Sequence, residues 1–464
     1  MTKESALAKK TAIYAVGNFG SKILSYVMVL VYSYYIAPED MGYYDVILST
    51  ISMMQPLILF QINDGVYRHL LDAKDGEHHQ IIGNGFRFLC MTTLLSEFLF
   101  AVFCAATDVL YAGWIGGLLA STIVFVYFQD VVRGLGKSKL YAALGILNSV
   151  VMLGCEVICL ILLKMGVVAL IISKILANCT CVLVICCAVK DIKQSMRQKM
   201  QKNTMLPLLR YSAPLVPNTI SWWVVNSSNR YIILGFLGVA YNGIFSMATK
   251  FPTVLTTITS IFYLAWQDSA VKEYNSPNRD AFFSSIFRKY YVLLFTLCLC
   301  AVPATRLVVE LFVSVDYKEA WQYTGFLYLG AAFSALCSFL GIGYQISKET
   351  ARSFYTSVIA AVINVSVNFL LIQVIGLQAA SFATFISYFC LFWIRIRHTK
   401  RYFHLQIEWK LFALLFLIIL ALMVATRCLS SIWMCLVLCL ASVGILLGFN
   451  RETFLPIIKK VLKR

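Results

Sequence analysis

Charge is what this sequence has least of, and acidic charge least of all. Only 13% of its 464 residues are Asp, Glu, Lys or Arg, against about 25% in soluble domains. With 60% hydrophobic residues and a mean hydropathy of +0.78, that shortage excludes a soluble globular enzyme and places the chain in a bilayer. Strands of alternating polarity are missing as well, which excludes a transmembrane β-barrel. Histidine is sparse: His69, His78, His79, His398 and His404 are dispersed. His78 and His79, beside Asp75 and Glu77, read as a solvated loop. The fifteen cysteines fall mostly inside apolar runs without metal-ligand spacing. Even the cluster Cys179, Cys181, Cys186 and Cys187 reads as small-residue packing. Gly134-Leu135-Gly136-Lys137 lacks the spacing of a phosphate-binding loop, so direct coupling to ATP is not expected. Nor is a resident cofactor, a soluble-type catalytic constellation or a cleaved signal peptide: the first apolar run is too long for one and lacks a small-residue cleavage site. The chain reads as a non-enzyme.

What is there is a succession of apolar runs, each of roughly 20–28 residues and so able to cross a bilayer. Hydropathy with breaks at charged or Gly/Pro clusters places about fourteen of them. They lie near 12–36, 43–66, 81–106, 110–132, 140–163, 167–189, 211–237, 243–267, 289–313, 322–346, 353–375, 377–396, 411–426 and 431–449. The expected fold class is therefore an all-α integral membrane protein. With the N-terminus inside, about 30 of the 39 Lys and Arg lie in inner segments and about three (Lys164, Lys318, Arg427) in outer loops. Both termini are expected in the cytoplasm. The net charge of +17 then reports topology, with some attraction to anionic headgroups, and not a nucleic-acid partner.

Residues 207–250 carry the most informative pattern. Asn218, Trp222, Asn226 and Arg230 recur every four residues and share one helix face. A turn follows (Gly238 to Gly243), then a Ser/Thr-rich span holding Lys250, with Ser246, Thr253 and Thr257 on its stripe. The start of the chain repeats the plan, with Tyr14, Asn18, Lys22 and Tyr26 on a stripe, a turn at Pro38 to Gly42, and a second span. YYIAPEDMGYYDVILS pairs with LGFLGVAYNGIFSMATK, the two turning at Gly42-Tyr43-Tyr44 and Gly243-Ile244-Phe245. LLKMGVVALIISKI pairs with LIQVIGLQAASFATFI, each with a glycine between adjoining spans. These pairings predict two parallel six-helix repeats around a central cavity. The expected parts are 1–206 with the basic, amphipathic linker Lys190–Lys202, 207–400, and an extra hairpin with a basic tail over 401–464. A second basic run, Arg395–Lys410, leads into that hairpin.

Ionisable groups inside spans cost roughly 2.5–3.5 kcal/mol or more each and usually face protein or water. Lys22, Arg230 and Lys250 are deep enough to read as cavity-facing cations. Asp64 and Arg68 stand four apart, either as a helical ion pair or as part of the cavity lining. Arg87, Asp130, Asp268, Arg306 and Glu310, near span ends, are expected as interface anchors. Glu97 and Glu156 lack a cation nearby in sequence and are candidates for binding a coupling proton or sodium ion. Most tryptophans fall near span ends, as interfacial belts do; Trp222 and Trp266 are the two to test as sugar-stacking surfaces. Pro56, Gly145, Pro214 and Pro252 are expected hinge or kink points.

Four segments resemble polysaccharide flippases of the Wzx type, in the superfamily that also holds lipid II flippases and MATE drug exporters. Pro214, Pro217, NSSNRYIIL and Gly243 are similar to the opening of that family's second lobe. VVRGLGKSKLYAALGILNSVV (131–151) is similar to its link between spans four and five. FYLAWQDSAVKEY (262–274) resembles its span-eight exit, and INVSVNFLLIQVIGLQAASFATFISY (363–388) its Asn-rich hairpin of spans eleven and twelve. The resemblance covers most of residues 10–400. It implies movement of an undecaprenyl-pyrophosphate-linked oligosaccharide, such as an O-antigen or lipopolysaccharide repeat unit, from the cytoplasmic to the outer leaflet of a bacterial inner membrane. It implies a cationic cavity, for which Lys22, Arg230 and Lys250 are the matching positions. Asn18, Asn218, Asn226, Trp222, Asp64 and Arg68 complete the expected substrate-binding set. The expected partners are that lipid-linked glycan, membrane lipids and a polysaccharide polymerase, with the protein itself a monomer. One departure is Asn229, where many relatives carry an acid just before the arginine. A MATE-type exporter is the rival transporter, but it calls for an acid-lined cavity. A membrane glycosyltransferase is the rival enzyme, but it calls for large loops outside the bilayer.

Overall fold

The computed structural model describes residues 28–450 apart from positions 29, 74, 75, 348 and 430. All regular structure among them is helical. Ten helices are long and apolar enough to cross a membrane, or eleven if one bent pair counts as a single span. The expected fourteen differ for identifiable reasons. Most of the first run lies outside the described residues. Two others, Leu215–Phe236 and Thr253–Glu273, are helical where expected but more polar than the helices that qualify. The chain divides into two compact units, Met1–Trp223 and Val224–Arg464.

In the first unit, helical residues 30–35 lead to α1 (Pro38–Leu59), which starts with proline at its first position and Glu39 and Asp40 in its first turn. Proline there loses no hydrogen bond, and acids favour a helix N-terminus. Gly42 is thus inside α1 and is not the turn itself. The expected span 43–66 is broken. Phe60 and Gln61 take left-handed conformations (φ 50° and 52°), and α2 (Ile62–Asp72) leaves at 55° to α1. The break comes four residues past Pro56, one of the expected kink points. Next come α3 (His78–Ala106), α4 (Ala112–Gly134), α5 (Ser138–Glu156) and α6 (Val167–Ala188). A π-helical turn over Val157–Leu162 prolongs α5.

Lipid offers no hydrophobic push between helices, so polar pairs and close approach hold this unit together. Asn148 on α5 donates to Asn178 on α6 (3.1 Å), which reaches Ser121 and Thr122 on α4 at 3.4 and 3.3 Å. Tyr127 on α4 donates to the Ile82 carbonyl at 2.7 Å, and Gly85 gives it room. A Cβ at Gly85 would stand 2.6 Å from the Tyr127 oxygen and 2.6 Å from Val66. Gly85→Ala is therefore expected to cost about 1–3 kcal/mol in a thermal-unfolding measurement. Gly113→Ala, with nothing within 4 Å, should cost far less.

The basic linker folds back onto this unit as α7 (Lys190–Ser195) and α8 (Lys202–Ser212), packed on α3 and on α2. Arg87 donates to the Gln198 carbonyl at 2.5 Å, and Asn84 accepts from the Gln201 amide at 2.6 Å. His79 lies 3.3 Å from both the Asp191 carbonyl and the Ser195 hydroxyl. Arg87 is therefore a clamp on the linker and not an interface anchor. The unit ends within α9 (Leu215–Phe236), whose Trp223 donates to the Ser49 carbonyl of α1 at 2.9 Å.

The second unit continues from α9 into α10 (Val239–Lys250), entered through Gly238 at φ 98°, and α11 (Thr253–Glu273). Expected span eight is thus two helices, parted at Phe251–Pro252, because proline cannot donate in the ladder and suits a helix start. Gly243, like Gly42, sits inside a helix. Around them stand α12 (Arg279–Phe312), α13 (Trp321–Ile346), α14 (Thr350–Ile375) and α15 (Gln378–Thr399), followed by α16 (Trp409–Cys428) and α17 (Ile432–Phe449). Helix α13 is the buried centre, packed by α11, α12 and α15. Trp266 is part of that core: it is 3% exposed, stacked on Phe339 at 4.0 Å and edge-on to Phe283 at 4.9 Å. It is not a surface for stacking sugars.

Two arginines are buried where the sequence suggested otherwise. Arg306 is no interface anchor: it pairs with Glu310 at 2.7 Å, bonds the Thr426 and Leu429 carbonyls, and lies under Trp321. It thereby caps the C-terminus of α16, where a cation is favoured, and α16 and α17 both pack along α12. Arg395 opens the basic run but is no surface charge: it lies in α15 at 3% exposure and donates to the Cys337 carbonyl at 2.7 Å. It also reaches Thr356 and Ser357 of α14 at 3.4 and 3.3 Å. In the loop after α15, Tyr402 donates to Glu349 at 2.8 Å, and burial together with that bond holds its hydroxyl pKa above the usual phenol value.

The repeat leaves a local mark in each unit. Gly166 before α6 and Gly376 before α15, aligned by the sequence pattern, have dihedrals of 57°, −137° and 58°, −142°. Only glycine adopts that region freely, so the same turn is built twice by the same residue.

Candidate functional site

Helix α9 carries the expected stripe as a single uninterrupted helix. Asn218 is exposed, Trp222 is half-buried, and Asn226 and Arg230 follow at one-turn intervals. Arg230 is half-buried, and its guanidinium donates to the Asn226 carbonyl at 3.0 Å, a bond along the stripe itself. Tyr388 of α15 donates to the Asn226 side-chain oxygen at 3.2 Å. Lys250 is half-buried at the last position of α10, where the helix dipole favours a cation, and its carbonyl accepts from Thr253. Thr257, on the same stripe, is buried in α11. Lys22 and Asn18 lie outside the described residues, as does the side chain of Asp268.

What sets the rotation of α9 is a buried amide cluster that sequence reading passed over. Asn229 donates to Thr384 at 2.8 Å and to the Ala380 carbonyl at 3.3 Å, and accepts from Asn368 at 2.9 Å. Ser228 reaches Asn364 at 3.5 Å. Asn229, Asn364 and Asn368 are almost wholly withdrawn from the surface, and Nδ2 of Asn364 and Oδ1 of Asn368 have no partner. The signal was present, since Asn364 and Asn368 stand four apart on one face of α14, as helical neighbours do. With an amide at Asn229 where an acid was the pattern, these three positions carry no formal charge. They lock α9 to α14 and α15 directly beside Arg230.

In the first unit the geometry separates residues that spacing had grouped. Arg68 is exposed and pairs with Asp72 at 2.5 Å, not with Asp64. Asp64 instead lies half-buried near Asp130. Asp130 accepts from Asn63 at 2.8 Å and is no interface anchor. The two coupling candidates differ in setting. Glu97 packs against Gly116 of α4, on a stretch of α3 whose Leu94, Leu95, Phe98 and Leu99 are 58–71% exposed. Glu156 is 1% exposed, hydrogen-bonded with Tyr32, and within electrostatic reach of Tyr44. It stands where α5 becomes π-helical, a distortion that often marks functional positions. A cavity of about 450 Å³ lies apart from these carboxylates, lined by His69, Glu77, Gln80, Asn203 and Thr204 among others.

Among known proteins, the sequence profile of the family described as polysaccharide biosynthesis protein matches residues 7–266. No curated protein matches the chain. A lipid II flippase MurJ in an inward closed conformation is similar in structure, with a TM-score of 0.68. It is 16% identical over 96% of this chain and 100% of that one. An inward-facing multidrug resistance MATE family transporter of the MOP superfamily gives 0.64 at 12% identity, over 84% of this chain and 95% of that one. A MATE transporter of Vibrio cholerae gives 0.58 at 13% identity, over 86% and 98%. At such identities the likeness shows the fold, which is the one shared by MurJ and MATE transporters. The family profile spans more than half of the sequence, and the chain belongs to the polysaccharide biosynthesis protein family.

Proposed function

We propose that this multi-pass membrane protein is a flippase for undecaprenyl-pyrophosphate-linked oligosaccharide, working by alternating access from the cytoplasmic to the outer leaflet of a bacterial inner membrane. The observation that carries the reading is Arg230, a half-buried guanidinium on α9 held directly beside the buried, uncharged amide cluster of Asn229, Asn364 and Asn368. A cation so placed favours an anionic guest, and a pyrophosphate cannot cross hydrocarbon without such groups. Arg230, Lys250 and Lys22 hold the pyrophosphate, while Asn218, Asn226 and Trp222 meet the sugars. The polyprenyl tail stays in lipid. Asp64 and Arg68 are less suited to the guest, because Arg68 is engaged with Asp72.

The same reading places both termini in the cytoplasm and a polysaccharide polymerase downstream, with the protein acting as a monomer and without a bound cofactor. A proton or sodium ion drives the cycle. Of the two carboxylates considered for coupling, Glu156 is the better placed, because it is enclosed by tyrosines and Glu97 borders lipid. Glu156→Gln is expected to lower export at least 10-fold and flatten its dependence on the ion gradient. Glu97→Gln should stay within about 2-fold of the parent. Surface-glycan levels, measured with and without an uncoupler, decide this. A MATE-type exporter or a lipid II flippase is the alternative. Efflux of cationic dyes by the expressed protein, with no rescue of glycan export in a flippase-deficient strain, would favour the exporter.

A further inference from the structure

The break between α1 and α2 gathers oxygen ligands that the proposed transport site does not use. Asn63 is 5% exposed; its Nδ2 donates to Asp130 at 2.8 Å, and its Oδ1 is buried with no partner. Asp64 is the next residue, on the first turn of α2. Among the described residues neither Asp64 nor Asp130 forms an ion pair. The cations on the surrounding helices make their close contacts elsewhere, although Arg133 is within electrostatic reach of both carboxylates. Arg133 of α4 lies over the Tyr67 ring at 4.5 Å, and Arg68 of α2 holds Asp72 at 2.5 Å. Arg87 of α3 holds the Gln198 carbonyl, and His69 lies 2.9 Å from the Gly65 carbonyl, edge-on to Tyr211 of α8.

The surplus is therefore one of acceptors: two carboxylates and an orphaned amide oxygen, with a single N–H donor among them. Turning the Asn63 amide over would not help, because it would set oxygen against carboxylate and orphan the nitrogen instead. A helix that stops in the left-handed region also leaves its last carbonyls outside the helical ladder. With Arg133 set against two carboxylates, such a place is short of one positive charge, and hard oxygen donors suit a hard cation. No group of three or more His, Cys, Asp or Glu among the described residues is arranged for a metal ion, which argues against a multidentate transition-metal site.

We propose that Asn63, Asp64 and Asp130 bind one monovalent cation, a sodium ion or a proton, at the break between α1 and α2. Together with Arg133, the bound cation balances the two carboxylates, and it ties α2 to α4. Gln61, inside the break, donates to Thr219 at 2.5 Å, so the same element also holds the start of α9. The site stands independently of the substrate and of Glu156.

The test is thermal unfolding of the purified full-length protein in detergent. Sodium chloride is compared with choline chloride at equal ionic strength and pH 7.5, and choline chloride at pH 7.5 with pH 5.5. Ligand that binds only the folded state raises the unfolding temperature, here by about 3 °C or more at saturation. A sodium-specific rise that disappears in Asp64→Asn and Asp130→Asn assigns sodium. A rise on acidification alone that disappears in the same variants assigns a proton. The response of this site is the part that remains in Glu156→Gln, and the surface variant Asp72→Asn should keep it. If Asp130→Asn does not fold, equilibrium binding of radioactive sodium, falling by one ion per chain in Asp64→Asn, gives the sodium answer. The pH response of Asp64→Asn gives the proton answer. Absence of both responses in the parent, or their persistence in Asp64→Asn, overturns the proposal.

Discussion

Replacing Arg230 and Lys250 together by glutamine is expected to reduce glycan export more than about 100-fold while the protein still accumulates in the membrane. Charge-assisted hydrogen bonds are worth about 1.5–3 kcal/mol each, so losing two removes the binding that draws the pyrophosphate from water. The fold should tolerate the loss. The rotation of α9 is held by the Asn229 amide cluster, which neither substitution touches, and Lys250 sits at the end of α10. Arg230→Lys is a sharper probe than either neutral variant. It keeps the charge but loses the planar fork that grips a phosphate with two parallel bonds, so export should fall only partway. Immunoblotting for surface glycan beside membrane-fraction protein levels reads the parent, the two single glutamine variants, the double variant and Arg230→Lys. Full export from the double variant would remove the cations from the mechanism.

The second large effect is structural. Arg306→Met is expected to destabilise the protein by about 3–5 kcal/mol, the usual result of removing one partner from a buried ion pair. The guanidinium bonds Glu310 and two carbonyls at the end of α16, and its ring contact with Trp321 is lost too. The substitution leaves Glu310 unpaired and those carbonyls without their donor. The hairpin α16–α17 should loosen first, at its α16 end, because Arg306 is a polar attachment of α16 to α12. By contrast, α17 is held by the bonds of Asn450 to Thr296 and Cys435 to the Pro303 carbonyl. Limited proteolysis in the loop between α15 and α16, together with the unfolding temperature, reads this directly. Glu310→Gln, which keeps an acceptor beside Arg306, should cost much less. Equal losses in the two variants would mean that the carbonyl cap contributes little.

Most span positions were legible in the sequence because hydropathy over twenty residues averages away local detail. α3, α4, α6 and α13 through α17 end within a few residues of the expected limits. The breaks were not legible in the same way. Pro252 announces the division of α10 from α11, but at Phe60–Gln61 two ordinary side chains adopt the left-handed conformation, which local propensity does not foretell. Spacing paired Arg68 with Asp64 and passed over Asp72, although acids stand four residues to either side. Sequence order alone favours Asp64, because an acid N-terminal to its base is the better pairing. Packing of α2 on α4 turns Asp64 toward Asp130 instead, and the exposed Asp72 takes the arginine.

The role of Arg395 was hidden for a related reason. It ends the expected span 377–396 and opens the basic run with Arg397, His398 and Lys400, so its charge looked like part of that run. Its bonds run to Cys337, Thr356 and Ser357, far away in sequence. For the candidate site, the stripe on α9 was legible from its period of four. The partners that orient it, Asn368, Thr384 and Tyr388, come from helices more than 130 residues away. Periodicity says which face of a helix is polar, and only tertiary packing says what that face meets.

The most direct measurement uses purified protein in liposomes with an undecaprenyl-pyrophosphate-linked oligosaccharide placed only in the inner leaflet. Appearance of the glycan outside is followed with a membrane-impermeant sugar-modifying reagent. The account predicts that the parent protein exposes the glycan well above the protein-free rate, and that the Arg230→Gln, Lys250→Gln double variant does not. A parent protein no faster than empty liposomes under an imposed proton or sodium gradient, or a double variant as fast as the parent, would contradict it.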